Sequence, residues 1–182
     1  MLDKATLAKK GYSIERFIST CKALHVSMIQ YRNKLGDVEE QKTDLLSIKS
    51  LLPSTPLIVN DRIDLVYLCD GLHLGQEDIV SFSLSKKEAI NYVRGVIGDK
   101  ILGISTHNKE EILEANTLDV DYVGLGAYRA TSTKSDAVVL KEKLGLIAGF
   151  SLKPVVAIGG VLRDDVIENV AYNAIGSGLY ED

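Results

Sequence analysis

Residues 57–78 read LIVNDRIDLVYLCDGLHLGQED, and the order of apolar and polar residues in them indicates the fold class. The apolar runs Leu57–Asn60 and Gly71–Leu74 are short and bounded by turn formers, as is typical of buried parallel strands. Asp61–Leu68 between them is predicted to form a short helix. Because parallel strands need a crossover connection, this strand–helix–strand order predicts a parallel α/β sheet.

The same alternation runs along the rest of the chain. Five further segments are predicted strands, namely Val26–Tyr31, Ile101–Ser105, Tyr122–Leu125, Val155–Ile158 and Ala174–Ser177. Helical periodicity predicts helices at Ser13–Leu24, with Ser13 as N-cap, and at Val38–Leu52, Lys86–Ile97, Asn108–Ala115, Ser135–Ala148 and Arg163–Val170. No proline-rich linker or low-complexity stretch divides these elements, so we expect residues 1–182 to form a single domain.

Repeated strand–helix units predict an α/β fold, and eight of them would close a (β/α)8 TIM barrel. The chain has 182 residues, whereas such a barrel typically takes about 250 and at least about 200. The shortage lies at both ends, because no apolar strand precedes the first helix and no full helix fits after the last strand. We therefore expect an incomplete barrel, or a coding sequence that begins upstream of Met1. An open doubly wound sheet is the competing architecture.

Composition excludes several function classes. Lys plus Arg number 21 and Asp plus Glu 25, a formal net charge of −4, which disfavours a general nucleic-acid or anionic-membrane surface. Cys21 and Cys69 lie in apolar contexts without a close partner, so neither a disulfide framework nor a zinc cluster is expected. No apolar run approaches the roughly 20 residues of a membrane span, and residues 1–4 lack a signal-peptide core. We expect a cytoplasmic protein with small-molecule ligands, as a monomer or a homodimer.

Basic and amide side chains follow the first predicted strand. Gln30, Arg32 and Lys34 are spaced by two, which places them on one face of an extended segment. In parallel α/β folds the carboxyl ends of the strands carry the sites. The cluster therefore suits an anion with several oxygens, with a solvated basic turn leading to Gly36 as the alternative.

Two acidic residues follow the next strands on the same predicted edge. Asp61 and Asp78, opposite the basic pair, could hold a Mg²⁺ ion that carries a phosphate, because hard oxygen ligands suit this ion. A helix-capping role for Asp61 is the alternative. His73 lies within a strand, where a hydrogen-bonded core residue is the commoner explanation.

Glycines follow the last two predicted strands, in Ala157-Ile158-Gly159-Gly160 and Ile175-Gly176-Ser177-Gly178. Barrel loops at this point commonly bind phosphate through backbone N–H groups; a plain turn is the alternative. Thr131-Ser132-Thr133-Lys134 adds hydroxyls beside a lysine, a weaker signal that helix capping also explains. Two phosphate sites result: one uses Arg32, Lys34, Lys134 and a metal, and the other uses Gly160, Gly176 and Ser177.

Taken in order, these motifs resemble those of the thiamine phosphate synthase family, within the superfamily that also contains the thiazole tautomerases. They are Gln30-x-Arg32-x-Lys34, Leu57-Ile-Val-Asn60-Asp61, Gly71-Leu-His73-Leu-Gly75-Gln76-Glu77-Asp78, Gly103-Ile-Ser105-Thr-His107-Asn108, Thr131-Ser-Thr133-Lys134 and Ala157-Ile-Gly159-Gly160. The resemblance implies a (β/α)8 barrel. It implies joining of hydroxymethylpyrimidine pyrophosphate to hydroxyethylthiazole phosphate, in which loss of pyrophosphate leaves a pyrimidine carbocation that the thiazole nitrogen attacks.

The resemblance also implies a role for each candidate residue. Pyrophosphate would be bound by Arg32, Lys34, Asn60, Ser105 and Lys134. Mg²⁺ would be held by Asp61 and Asp78. The pyrimidine would face Gln30, with His73 and Gln76 as neighbours. The thiazole phosphate would be held by Thr131, Thr133, Gly160, Gly176 and Ser177.

One segment departs from the family pattern. Where the family usually has Gly-Pro-x-aromatic-Pro, this chain has Gly126-Ala127-Tyr128-Arg129-Ala130, and losing two prolines should raise the cost of ordering the loop by about 1 kcal/mol. Arg129 adds a charge beside the acceptor phosphate or points to water. The tautomerases carry a histidine where Ala127 stands, which disfavours a tautomerase-like isomerase. The remaining alternative is a non-catalytic binder of thiamine phosphate or its precursors.

Overall fold

A computed structural model describes residues 1–83, 85–130 and 138–180. The chain divides into two compact units, Met1–His73 and Leu74–Asp182. Each unit consists of parallel strands joined by helices, and the polar residues of interest lie at the carboxyl ends of the strands.

The first unit begins with a two-residue strand. Its elements are β1 (Leu2–Asp3), α1 (Lys4–Lys9), α2 (Ile14–Ala23), β2 (Ile29–Arg32), α3 (Val38–Leu51), β3 (Leu57–Asn60), a 3₁₀ helix (Ile63–Leu68) and the start of β4 (Gly71–Leu74). β1 pairs with β2, β2 with β3 and β3 with β4, always in parallel.

The second unit repeats this plan. Its elements are α4 (Gln76–Val80), α5 (Lys86–Ile97), β5 (Ile101–Thr106), α6 (Lys109–Ala115), β6 (Tyr122–Leu125), α7 (Lys143–Ala148), β7 (Val155–Ala157), β8 (Tyr172–Asn173) and a 3₁₀ helix (Ser177–Tyr180). β5, β6, β7 and β8 pair in parallel and in chain order.

Strand order decides between the two candidate architectures. In a doubly wound sheet the order reverses at a switch point, whereas within each unit here every strand pairs with its neighbour in sequence. The fold class is α/β, of the (β/α)8 barrel type, as expected. Among the described residues, β1 has two residues and a four-residue 3₁₀ helix follows β8. No strand is predicted before the helix at Ser13–Leu24, but Leu2 is fully buried and pairs with Tyr31 of β2.

Side-chain caps define most helix starts. Ser13, Asp37, Ser85 and Asn108 each accept a hydrogen bond from the backbone N–H three residues later, at the beginnings of α2, α3, α5 and α6. Such caps satisfy N–H groups that have no partner within the helix. The predicted helices at these four places are confirmed to within one residue.

A buried hydrogen bond sets the orientation of β2. The Tyr31 hydroxyl, with its ring fully buried, donates to Asp44 Oδ2 of α3 at 2.7 Å. The Lys4 Nζ lies 2.9 Å from the same carboxylate oxygen. Because successive residues of a strand point to opposite faces, Gln30 and Arg32 face away from α3.

Two predicted strands are displaced. The first begins at Ile29 rather than Val26, because the Val26 N–H still bonds the Cys21 carbonyl at the end of α2. The last is Tyr172–Asn173 rather than Ala174–Ser177. There the Leu179 N–H bonds the Gly176 carbonyl, so the chain turns into the 3₁₀ helix instead of staying extended.

Two helix predictions are wrong in whole or in part. Arg163–Val170 forms separate turns, because the Asp165 carbonyl accepts from Asn173 Nδ2 at 2.8 Å and Asn169 has a φ of +59°. Helix α7 starts at Lys143 rather than at residue 135. Val138 and Leu140 instead exchange backbone hydrogen bonds with Ala127; residues 135–137 lie outside the described residues.

Candidate active site

The first unit gathers polar side chains on one face of its sheet. The parallel register pairs Asp3 with Arg32 and Asn60 with His73. Residues paired in this way point to the same face. These side chains lie at the carboxyl ends of β1 to β4, where sequence analysis placed the anion site.

A chain of hydrogen bonds runs from Gln30 to Asp61. Gln30 Nε2 donates to Asn60 Oδ1 at 2.7 Å, and Asn60 Nδ2 donates to Asp61 Oδ2. Both ends of the Asn60 amide therefore take part in this chain. The structure thus brings Gln30 of one predicted motif together with Asn60 and Asp61 of the next.

The backbone of Asp61 adopts an uncommon conformation. Its φ is +62°, a left-handed value that costs free energy for a residue with a Cβ and that concentrates at functional sites. The Asp61 N–H donates to the His73 carbonyl at 2.9 Å, which holds the residue in place. The 3₁₀ helix that follows has Arg62 at its N-cap, so Asp61 lies one residue before the cap position.

Arg32 forms an ion pair with Asp3, a residue that sequence analysis missed. Arg32 Nη1 donates to Asp3 Oδ2, and Asp3 Oδ1 accepts from the Thr6 N–H at 2.8 Å. Burial alone would raise the pKa of the Asp3 carboxyl, but the hydrogen bonds from Thr6 and Arg32 outweigh it and lower that pKa below its ordinary value. An acid directly before helix α1 was the available signal, as an N-cap, but β1 was too short to recognise.

Lys34 and His73 differ in their exposure. Lys34 is exposed on a turn in which Asn33 Oδ1 accepts the N–H groups of Leu35 and Gly36. His73 is buried, and this burial lowers the pKa of its imidazole to about 4. A neutral, buried imidazole fits the expectation of a core histidine beside the site.

In the second unit, α4 presents two of the candidate residues. Gln76 Nε2 donates to the Ser105 carbonyl on β5, which fixes the start of the helix against this strand. Asp78 lies in the first turn of α4. A Cβ on Gly75 would lie 2.7 Å from Asp78 Oδ2, so glycine is what allows the carboxylate its position.

His107 follows β5 and faces a carboxylate. Its Nδ1 lies 3.0 Å from Glu111 Oε2, and the same oxygen accepts the His107 N–H at 2.9 Å. On the preceding residue, the Thr106 hydroxyl donates to the Gly124 carbonyl and joins β5 to β6. Thr106 at the end of β5 and His107 after it are therefore both held by hydrogen bonds.

The segment after β6 packs against the turn after β7. Gly159 and Gly160 have φ values of +75° and +67°. Added Cβ atoms there would lie 2.6 Å from Ala127 Cβ and 2.7 Å from Arg129 Cβ, respectively. The Arg129 N–H donates to the Gly159 carbonyl at 2.9 Å. Glycine at both positions is required by conformation and by space.

Arg129 does not simply point into water, which was one of the two expectations from its sequence. Its guanidinium forms an ion pair with Asp165, with Nη1 at 2.6 Å from Oδ2. Nη1 also donates to the Gly160 carbonyl at 3.0 Å. The side chain is therefore engaged at the carboxyl ends of the strands rather than directed into water.

The structure describes some of the other predicted phosphate ligands and not others. Gly176 precedes the 3₁₀ helix that begins at Ser177, and its carbonyl accepts from Leu179. Thr131, Thr133 and Lys134 lie outside the described residues.

Neither a metal cluster nor a membrane span is found over the part of the chain that the structure describes. No three His, Cys, Asp or Glu side chains there are grouped so as to hold an ion by themselves. No helix among these residues is long and apolar enough to cross a bilayer.

Known proteins similar to this chain include thiamine-phosphate synthases. Thiamine-phosphate synthase from Persephonella marina is 40% identical over 166 residues, spanning 86% of this chain and 75% of that protein. The enzyme of the same name from Vibrio campbellii is 36% identical over 165 residues, spanning 85% and 74%. The solved structure of thiamine phosphate pyrophosphorylase from Pyrococcus furiosus matches with a TM-score of 0.70 and 28% identity, over 86% of this chain and 73% of that one.

The family match extends over almost the whole sequence. The family model described as thiamine monophosphate synthase matches residues 6–179, a range that includes every candidate residue named from the sequence. The chain belongs to the thiamine monophosphate synthase family.

Proposed function

We propose that this protein is a transferase that condenses hydroxymethylpyrimidine pyrophosphate with hydroxyethylthiazole phosphate, yielding thiamine phosphate and pyrophosphate. Its family and its relatives named thiamine-phosphate synthase support this activity. The observation that carries the proposal is the hydrogen-bonded chain Gln30–Asn60–Asp61, on the sheet face that Arg32 shares. Together with Arg32, this chain supplies the amide, carboxylate and cation that the family resemblance implies.

These residues would bind the pyrophosphate of the first substrate. We assign it to Arg32, Lys34, Asn60, Ser105 and Lys134. The Asp3 carboxylate holds the Arg32 guanidinium in one orientation before substrate arrives, so little ordering cost remains at binding. Exposed Lys34 adds a mobile point charge.

We assign Asp61 and Asp78 to a Mg²⁺ ion that arrives with its pyrophosphate. Mg²⁺ in such sites is held by one or two carboxylates together with substrate phosphates, and Asp61 and Asp78 would be those carboxylates. The left-handed Asp61 backbone and the Gly75 cradle under Asp78 both serve to place a carboxylate. When bound, the ion would neutralise charge on the leaving pyrophosphate.

Catalysis in this proposal is mainly electrostatic. The bond between the pyrimidine and its pyrophosphate breaks first, its electron pair leaves with the pyrophosphate, and the thiazole nitrogen attacks the resulting pyrimidine carbocation. Arg32 and Lys134 stabilise the charge that develops on the leaving group, and such preorganised stabilisation is commonly the largest catalytic contribution. Gln30 faces the pyrimidine, with His73 and Gln76 as neighbours.

The acceptor is held at the other group of candidate residues. We assign the thiazole phosphate to Thr131, Thr133, Gly160, Gly176 and Ser177. The left-handed Gly160 turn offers backbone N–H groups without a Cβ in the way. Residues 1–182 would act as one catalytic domain in the cytoplasm. The protein would be a monomer or a homodimer, and analytical ultracentrifugation distinguishes these two states.

A binding experiment tests the leaving-group site separately from turnover. Mg²⁺ and pyrophosphate together are expected to raise the melting temperature of the full chain, because a ligand that binds only the native state stabilises it. Asp61→Asn should abolish the part of the shift that depends on Mg²⁺. A wild-type chain without any shift would contradict the pyrophosphate site, and a shift without turnover would favour the non-catalytic binder.

A further inference from the structure

Arg129 and Asp165 form a two-pronged ion pair in the second unit. Arg129 Nη1 lies 2.6 Å from Asp165 Oδ2, and Nη2 lies 2.7 Å from Oδ1. The Asp165 side chain is 12% exposed and that of Arg129 40%. Bidentate pairs of this kind are directional as well as strong.

This pair ties together the segments that follow β6 and β7. Arg129 follows β6, and its Nη1 also donates to the Gly160 carbonyl after β7. Asp165 Oδ2 accepts the Leu162 N–H at 2.7 Å, and its carbonyl accepts from Asn173 of β8. One ion pair therefore links the ends of three neighbouring strands.

Gly160 lies at the centre of these contacts. Its backbone is left-handed, and an added Cβ would lie 2.7 Å from Arg129 Cβ and 3.1 Å from the Arg129 carbonyl oxygen. The direction of the peptide groups in this turn consequently depends on where Arg129 is held. Asp165 is the group that holds it.

We infer that Arg129 and Asp165 are positioning residues that orient the Gly160 turn for the thiazole phosphate, and that Arg129 is not itself a ligand of that phosphate. The inference rests on the proposed function. Both terminal nitrogens of Arg129 already donate to Asp165. A phosphate bound directly to Arg129 would have to displace this carboxylate or lie beside its negative charge.

The alternative, direct binding by Arg129, predicts the opposite sign for one substitution. Asp165→Asn keeps the size of the side chain and removes its charge. If Arg129 bound the phosphate, losing its competitor would tighten thiazole phosphate binding. If the pair instead positions the Gly160 turn, the same substitution weakens thiazole phosphate binding.

The chain offers a matched control at the other end of β6. Asp121 Oδ2 accepts the Leu102 N–H at 2.7 Å and lies 2.7 Å from Arg94 Nη2. It therefore has the same kinds of partner as Asp165. Asp121 precedes β6, however, whereas the candidate site follows that strand. Asp121→Asn should affect stability without affecting either substrate.

Calorimetric titration of the full chain with hydroxyethylthiazole phosphate, together with steady-state kinetics, tests this assignment. Asp165→Asn and Arg129→Lys are each expected to raise the Kd and the KM for this substrate about tenfold, because neither retains the bidentate pair. The KM for the pyrimidine pyrophosphate should stay unchanged. Arg129→Lys serves as the test if Asp165→Asn fails to fold.

Three results would overturn the inference: wild-type or tighter thiazole phosphate binding in Asp165→Asn, an equal change in both substrates, or the same change in Asp121→Asn. If the wild type makes thiamine phosphate and one of these results is found, the positioning role fails and the proposed function stands. If the wild type neither binds the thiazole phosphate nor makes product, both fail.

Discussion

The Asn60 side chain joins Gln30 to Asp61, accepting from Gln30 Nε2 at 2.7 Å through its oxygen and donating to the Asp61 carboxylate through its nitrogen. Because an amide has distinct donor and acceptor ends, this arrangement fixes the direction of all three side chains. In the proposed site, a substitution at Asn60 would therefore remove one pyrophosphate contact and would also release Asp61, the candidate metal ligand.

Asn60→Ala should lower kcat/KM for the pyrimidine pyrophosphate at least tenfold, roughly the 1.4 kcal/mol of one or two lost charge-assisted hydrogen bonds. Asn116→Ala is the matched control. Asn116 also uses both ends of its amide, bonding the Phe150 carbonyl and the Leu152 N–H away from the candidate site. Equal kinetic losses in the two variants would remove Asn60 from the site.

Asp3→Asn should reduce stability above pH 4 by about 1–3 kcal/mol, since it leaves the partly buried Arg32 without its counter-ion. The folded pKa of Asp3 lies below its ordinary value of 3.8. Its contribution is therefore fully present above pH 3.8 and is lost as the pH falls through the lower, folded pKa.

Urea unfolding of wild type and variant at pH 6 and near pH 2.5 measures this difference, which should shrink at the lower pH. Asp64→Asn is the control, because Asp64 pairs with Arg62 but its side chain is 54% exposed. Its removal should change stability by less than about 1 kcal/mol. A difference for Asp3→Asn that is independent of pH would contradict the ion pair.

His73 should stay neutral throughout the physiological range, because burial lowers its pKa to about 4 from 6.5. The unfolded chain then binds the extra proton between these values, so stability falls as the pH drops from 6.5 towards 4, by up to about 3 kcal/mol. His73→Gln should remove most of this slope in denaturant titrations between pH 4.5 and 7. An NMR titration that finds the His73 imidazole protonating near pH 6.5 would refute the assignment.

Gly75→Ala should displace the Asp78 carboxylate, whose Oδ2 would lie 2.7 Å from the new Cβ. The Mg²⁺ concentration that gives half-maximal activity is then expected to rise several-fold, because a misplaced carboxylate is a poorer ligand. Gly95→Ala is the control: nothing lies within 4 Å of its added Cβ, and alanine within α5 should stabilise by about 0.5–1 kcal/mol. An unchanged Mg²⁺ requirement in Gly75→Ala would argue against Asp78 as a ligand.

How far the sequence predicts the structure depends on whether the signal is local. Helix α5 coincides with its prediction, because Ser85 caps it and its apolar residues have helical spacing. Periodicity also predicts a helix at Arg163–Val170, but the long-range bond from Asn173 to the Asp165 carbonyl prevents one. Strand β1 was missed because two residues carry no pattern.

The candidate site shows the same division. The positions of Gln30, Arg32 and Asn60 follow from strand endings, which the sequence reveals. Their mutual hydrogen bonds and the partnership of Arg32 with Asp3 depend on parallel register, which one sequence does not reveal. The role of Arg129 depends on a partner 36 residues away along the chain, so its pattern suggested only a charge near the phosphate or in water.

The function proposed for this chain is the formation of thiamine phosphate. The most direct measurement mixes the purified protein with hydroxymethylpyrimidine pyrophosphate, hydroxyethylthiazole phosphate and Mg²⁺, and follows the product as its fluorescent thiochrome, with Arg32→Ala and Lys134→Ala alongside. We expect product that requires Mg²⁺ and falls at least about tenfold in each variant, the size of one lost transition-state contact. Absence of product from folded wild-type protein, with both substrates bound, would contradict the claim.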